Sequence, residues 1–408
     1  MSGKEYNFVI VMLMVAIAVS EAATDIYIPS LPGLVTYFNS NEQTISLTLS
    51  MGLLGFCVAA FIYGPLSDSL GRRKLILFGI FIFTVGTFAC SVAQSARFLL
   101  FARFIQGLGI ATPYVIGIAI VKDLYREEQF SKIMSNIHMV AAISPMIAPI
   151  IGGYIDNYFG WQTSFILIGV LGFILLLCFR SIPETHITNN LPPISLKNIL
   201  LNYKKLISNP QFMSYALISG ITYAGIWSYI STVPFFLSTL GIKVTQYGYY
   251  HAVLVLACFI GTYINSRNVE KYGVNKMLAG SLFVSAFGSL CLVLVALFWQ
   301  NSPKMIYTAM AIYCIGMAGG FANATTRAME VFRDIKGSAS SALSCIECLV
   351  PATFVCILSY FKSATMLAPA IAIVIAAFAS LGLYLWQSLN NSRPNIEKMK
   401  TDQPRRAA

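Results

Sequence analysis

The sequence predicts an all-α membrane protein with twelve transmembrane helices in two six-helix pseudo-repeats, and three observations carry that expectation. Of 408 residues, 57% are hydrophobic and only 11% charged, with a mean hydropathy of +0.72, whereas a soluble domain carries about 25% charged residues. Twelve apolar windows succeed one another between residues 6 and 389, each near the roughly 20 residues that cross a hydrocarbon core. Basic residues fall almost wholly into alternate connections between those windows, the pattern of a chain that crosses a bilayer repeatedly.

Taken in order, the windows form outgoing and returning pairs. The first, 6–28, follows Lys4 and opens with the uncharged run YNFVIVMLMVAIAV; the second, 44–64, returns to a connection with Arg72, Arg73 and Lys74. Windows 75–93 and 97–121 lead to Lys122, Arg126 and Lys132; windows 131–154 and 161–180 lead to Arg180, Lys197, Lys204 and Lys205. In the second half, 211–237 and 245–265 lead to Arg267, Lys271 and Lys276, and 277–299 and 303–325 to Arg327, Arg333 and Lys336. The last pair, 338–361 and 365–389, leads to a tail with five more basic residues. These segments hold 22 of the 27 lysines and arginines, the opposite connections only Arg97, Lys243, Lys304 and Lys362, and a single one, Arg103, lies inside a window away from its ends. Short basic connections stay cytoplasmic, so both termini are expected inside. The first window lacks a small-residue cleavage site and runs on into acidic residues, so it reads as a retained helix rather than a signal peptide.

The longest polar interval divides the chain into an N-terminal bundle (1–180), a cytoplasmic linker (181–210), a C-terminal bundle (211–389) and a cytoplasmic tail (390–408). Within the linker, LKNILLNYKKLI has the spacing of a short amphipathic helix with basic residues on one side, suited to a lipid surface or equally to a plain tether. An internal repeat supports the two halves: GPLSDSLGRRK and, 202 residues on, SRNVEKYGVNK share an acid, a glycine and a lysine at the same offsets (Asp68, Gly71, Lys74; Glu270, Gly273, Lys276).

The net charge of +11 is spread over seven cytoplasmic segments, so it sets topology and offers no groove-sized patch for nucleic acid. All nine cysteines fall within windows, where cysteine acts as a small apolar residue, and the Cys345–Cys348 CxxC has no second pair to make a metal site. No Walker-type sequence occurs, and GLGIAT at Gly107 lacks the third glycine of a dinucleotide fingerprint. No metal or cofactor is expected.

Chemistry concentrates in SEAATDIYIPSLP, where the first window ends. Glu21 and Asp25 stand at i and i+4, on one helix face roughly 6 Å apart along the axis. Acids in an apolar helix are costly and mark functional sites by default. Arg103 lies about six residues below the outer end of its window, at a depth that matches the two acids, so it is positioned to meet them if both helices line one cavity. One guanidinium balances only one carboxylate, so the second acid has reason to hold a proton. A carboxyl that loads a proton on one side and loses it on the other is what proton coupling requires; the alternative is a structural ion pair with one solvated acid. Glu347, in SALSCIECLVP, reads as a second proton site, a contact for a cationic substrate, or a structural acid bonded to neighbouring Ser or Thr. His138 and His251 have no evident partner and suit cavity or core packing.

These motifs resemble those of the major facilitator superfamily, specifically its twelve-helix drug:proton antiporters and their bicyclomycin-resistance branch, over nearly the whole chain. GPLSDSLGRRKLIL (64–77) looks like the signature loop between helices two and three, RFIQGLG (103–109) like the helix-four motif, ISPMIAPIIGG (143–153) like the helix-five antiporter motif, and DIYIPSLP (25–32) like the branch's helix-one motif. The resemblance implies a proton-coupling role for Arg103, and a latch on the outward-open state formed by Gly64, Asp68, Gly71, Arg72 and Arg73 with the start of helix eleven near Gly337 and Ser338. Pro145, Pro149, Gly152 and Gly153 permit kinking and close helix approach. Ala148 stands where the antiporter motif usually has glycine, and Glu21 is not part of the helix-one motif, which points to altered proton stoichiometry or a taste for cationic or zwitterionic substrates.

The expected function is secondary active export of a drug or small amphiphile against inward proton flow, by a monomer in a bacterial inner membrane. Glu21, Asp25, Arg103 and Glu347 would handle protons and substrate, and Tyr27, Tyr114, Tyr223 and Trp227 would line an adaptable cavity. Rival readings are a proton-coupled importer or a metabolite or siderophore exporter on the same scaffold, and a membrane-embedded enzyme or sensor. Three scattered histidines give the enzyme little support.

Overall fold

The computed structural model describes the backbone of residues 3–125, 127–182, 184, 196–332, 335–361 and 365–392, and the regular elements among them are all helical. The tail beyond Ser392, linker residues 185–195 and the side chains of Asp68 and His138 lie outside the described residues. In order the helices are α1 (Gly3–Asp25), α2 (Leu31–Tyr37), α3 (Glu42–Leu70), α4 (Arg72–Ser91), α5 (Ala96–Leu124), α6 (Glu127–Phe159) and α7 (Trp161–Phe179). The short α8 (Leu196–Ile207) is followed by α9 (Pro210–Thr239), α10 (Val244–Tyr272), α11 (Val274–Phe298), α12 (Pro303–Val331), α13 (Lys336–Ser359) and α14 (Leu367–Ser392). Setting aside α2 and α8, twelve long helices coincide in number and order with the twelve windows.

Among the described residues eleven stretches are long and apolar enough to cross a membrane, and α9, long enough, is slightly less apolar than that. The reason is its position. Of its 30 residues 22 are buried, many of them Ser, Thr, Tyr or Gly, so α9 spends little surface on lipid and has no need of a uniformly apolar skin. Helices α3, α10 and α12 run on to Leu70, Tyr272 and Val331, past the windows expected to end at 64, 265 and 325. A helix keeps its backbone hydrogen bonds after leaving hydrocarbon, whereas the apolar signal stops there.

The first crossing, Phe8–Tyr37, is not one continuous helix. Pro29 has no N–H to offer the Asp25 carbonyl four residues back, so α1 stops at Asp25, a 3-10 turn covers Ile28–Ser30, and α2 restarts with Pro32 in its first turn.

Helix α3 packs on α5 and α13, α4 on α5 and α7, and α1 on α6 and α7; in the second half α11 packs on α12 and α14, and α9 on α12, α13 and α14. The two sets of helices touch chiefly along α3–α13 and α6–α10. Gly71 and Gly273, the glycines of the internal repeat, adopt the same backbone shape (φ 91, ψ 150 and φ 80, ψ 155) as single-residue joints between helices. That region is open essentially to glycine alone.

Candidate functional site

The break after Asp25 leaves the last carbonyls of α1 without helical partners and gives that end a partial negative charge. Arg103 on α5 uses it: the Arg103 Nη1 donates to the Ala23 carbonyl at 3.2 Å and to Gln106 Oε1 one turn along its own helix. Gln106 in turn donates from Nε2 to Thr87 Oγ1 on α4 at 2.9 Å. The guanidinium carbon lies 4.4 Å from the Tyr27 ring centroid, a cation–π contact strengthened by burial, since Arg103 is 1% exposed. Thr48 spends its hydroxyl proton on the Ile45 carbonyl at 2.6 Å, so the Tyr27 hydroxyl donates to Thr48 Oγ1, 3.0 Å away. A cavity of about 30 Å³ lined by Thr24, Leu49, Gly52, Phe56 and Arg103 opens beside this network, roomy enough for a water.

Arg103 therefore sits at the expected depth but is held by neutral groups and a helix end. Among the described residues it forms no ion pair with either acid. Asp25 lies in the Coulomb field of both Arg103 and Glu21, is 5% exposed, and makes no side-chain hydrogen bond to any described residue. Glu21, half-buried, accepts from the Tyr114 hydroxyl on α5 and lies within electrostatic reach of Tyr223 on α9. Arg103 thus bonds neither acid directly, although its field and that of Glu21 both reach Asp25, while Glu21 has its own partner in Tyr114.

Three of the four expected cavity aromatics border this region. Tyr114 packs on Phe56 with centroids 5.9 Å apart; Tyr223 meets Trp227 edge-on at 6.2 Å and Phe321 at 5.2 Å. Tyr27 differs: it has no exposed surface, because its ring is clamped between Arg103 and Phe165, so it braces the guanidinium instead of lining a cavity. Glu347 on α13 accepts from Thr325 Oγ1 on α12 at 2.8 Å. His251 is buried against Tyr247, ring centroids 5.9 Å apart, as a packing residue. Gln106, Thr87 and Thr48 were not anticipated; a glutamine one turn from an arginine inside an apolar window was the available signal.

At the end of the bundle that carries the basic connections, Arg72 bonds Asp123 on α5 at 3.1 Å and Ser67 on α3, two partners within the first set of helices. Glu184, also unanticipated, caps the start of α4 by accepting from the Arg72 and Arg73 backbone N–H groups at 2.9 and 3.1 Å, a charge well placed at a helix N-terminus. Arg73 donates to the Arg180 carbonyl at 2.6 Å. A Cβ on Gly71 would come within 2.6 Å of Glu184 Oε2. Gly71→Ala is accordingly expected to cost about 1–3 kcal/mol, measured as a lower unfolding midpoint in detergent. Contact between the halves here runs through Gly64, where a Cβ would lie 2.7 Å from Ser341 Oγ on α13, and through Asn202 of α8, which donates to Ser338 Oγ at 3.4 Å.

At the opposite end, α6 does the joining. Pro145 and Pro149 lie inside it, Ser144 donates to the Ala18 carbonyl of α1 at 2.7 Å, Gly152 abuts the Ile26 carbonyl, and Gly153 leaves only 2.7 Å between a would-be Cβ and the Val244 carbonyl of α10.

Comparison with known proteins agrees with this architecture. The family model described as Major Facilitator Superfamily matches residues 13–355. The bicyclomycin resistance protein homolog of Haemophilus influenzae is 28% identical over 334 residues, 80% of this chain and 83% of its own. Multidrug resistance protein D of Escherichia coli is 26% identical over 348 residues, 83% of this chain and 85% of its own. A bacterial homologue of the human lysosomal transporter Spinster, solved inward-facing and occupied, superposes with a TM-score of 0.75 at 15% identity, covering 95% of this chain and 98% of that one.

Proposed function

The chain belongs to the Major Facilitator Superfamily, and from that premise we propose that this multi-pass membrane transporter is a proton-coupled exporter of drugs or small amphiphilic compounds. One observation carries the reading: Asp25 is buried at the negative end of α1 with no hydrogen-bond donor among the described residues. A carboxylate in that position is disfavoured by burial and by the helix dipole. Arg103 lies near enough to act on it through its field, so a movement of α5 against α1 during a cycle would change the surroundings in which the carboxyl holds or gives up its proton. The relatives named for bicyclomycin and multidrug resistance support export.

In this proposal the six-helix halves, 1–180 and 211–389, rock about the central site as a monomer in a bacterial inner membrane with both termini cytoplasmic. Gly64, Asp68, Gly71, Arg72 and Arg73 latch the basic end, with Gly337 and Ser338 facing them, while Pro145, Pro149, Gly152 and Gly153 let α6 move against α1 and α10. Glu21, held by Tyr114 and within reach of Tyr223, receives the positively charged part of a substrate, and Glu347 is a second acid of the same pathway.

The test uses everted vesicles from cells that express the protein. Adding a transported compound to acid-loaded vesicles should release stored protons; proton movement in the same direction as substrate would replace antiport by cotransport. Glu21→Gln is expected to cut export of cationic compounds roughly tenfold, the worth of a charge-assisted contact, while neutral compounds are exported as before.

A further inference from the structure

The helix between the halves presents two faces with different partners. On one face of α8, Tyr203 stacks on Phe61 of α3 with centroids 4.2 Å apart and donates its hydroxyl to the Phe61 carbonyl at 3.1 Å, and Leu206 has no exposed surface. On the other, Leu200, Leu201 and Ile207 are 61%, 52% and 61% exposed, with Lys204 exposed among them. Three open aliphatic side chains on twelve residues are unfavourable in water, at about 25 cal/mol per Å² of apolar surface. The depth of the helix says what covers them. Phe61 stands one turn before the end of the apolar stretch Glu42–Gly64, so α8 is pinned where hydrocarbon gives way to headgroups. Lys205 keeps to that level as well, its ammonium 5.2 Å from the Phe332 ring at the end of α12.

We propose that the outward face of α8 is a binding surface for anionic phospholipid headgroups, with Leu200, Leu201 and Ile207 seated among the acyl chains and Lys204 on the phosphate. The chemistry matches an interfacial helix, whose binding combines buried apolar area with attraction of lysine to anionic lipid. The same helix touches α3 through Tyr203 and α13 through Asn202, so the lipid would rest on an element that spans the contact between the halves.

The full-length protein, reconstituted in vesicles of phosphatidylcholine alone or with a third phosphatidylglycerol, is treated with a membrane-permeant amine-reactive ester, and labelling is read by peptide mass spectrometry. Labelling of Lys204, normalised to the exposed Lys122 and Lys243, should be about fivefold slower with phosphatidylglycerol. Equal normalised labelling in both vesicles would overturn the proposal. A Leu200→Gln, Leu201→Gln, Ile207→Gln variant should lose the protection; if it keeps all of it, lysine merely collects mobile headgroups and no seated surface exists.

Discussion

Asp25→Asn is expected to abolish uphill export while leaving the protein as stable as the parent, or more so. The substitution keeps the shape of the side chain, removes no hydrogen bond to a described residue, and relieves a carboxyl that is 5% exposed at the negative end of α1. Loss of a buried charge without a fixed donor is favourable for folding, so the thermal midpoint in detergent should hold or rise. Transport should fall to the level of vesicles without the protein when a proton gradient is the driving force, and exchange of labelled for unlabelled substrate should persist. A merely structural Asp25 would give the reverse pattern, with a lower midpoint and intact gradient-driven export.

Gly152→Val is expected to have the largest structural effect. The new side chain would occupy the space of the Ile26 carbonyl, in the stretch where the first crossing changes from α1 to its 3-10 turn. Backbone on one side and the proline-containing α6 on the other leave little to yield, so the cost is about 1–3 kcal/mol or more, together with loss of export. Gly280→Val on α11 is the control, because nothing lies within 4 Å of a Cβ there. Export and unfolding midpoint compared across the two variants separate a packing clash from a general intolerance of valine.

The architecture was legible because lipid imposes a coarse rule: long apolar windows and lysine placement are local properties that a single chain displays residue by residue. The site was legible only in part. Glu21, Asp25 and Arg103 announced themselves by being charged in apolar surroundings, and the helix rise placed them at one depth. What could not be read was who satisfies whom. Arg103 takes its countercharge from the carbonyl end of α1, a feature created by Pro29 acting four residues upstream. Glu184 reaches the start of α4 across more than a hundred residues, and Asp123 meets Arg72 from the far end of α5. Tyr27 is identified by sequence only as an aromatic near an acid; its work as a brace depends on Phe165 and Thr48, which no spacing connects to it.

The composition of α9 bears on how the chain is made. Its main packing partners, α12, α13 and α14, are all synthesised after it, so when α9 leaves the ribosome its serines, threonines and tyrosines face lipid or the translocation channel without the neighbours that later cover them. Those groups stay without their final partners until the later helices of the C-terminal half have been made. Assembly of that half is then a collective step, completed only when α14 has been made.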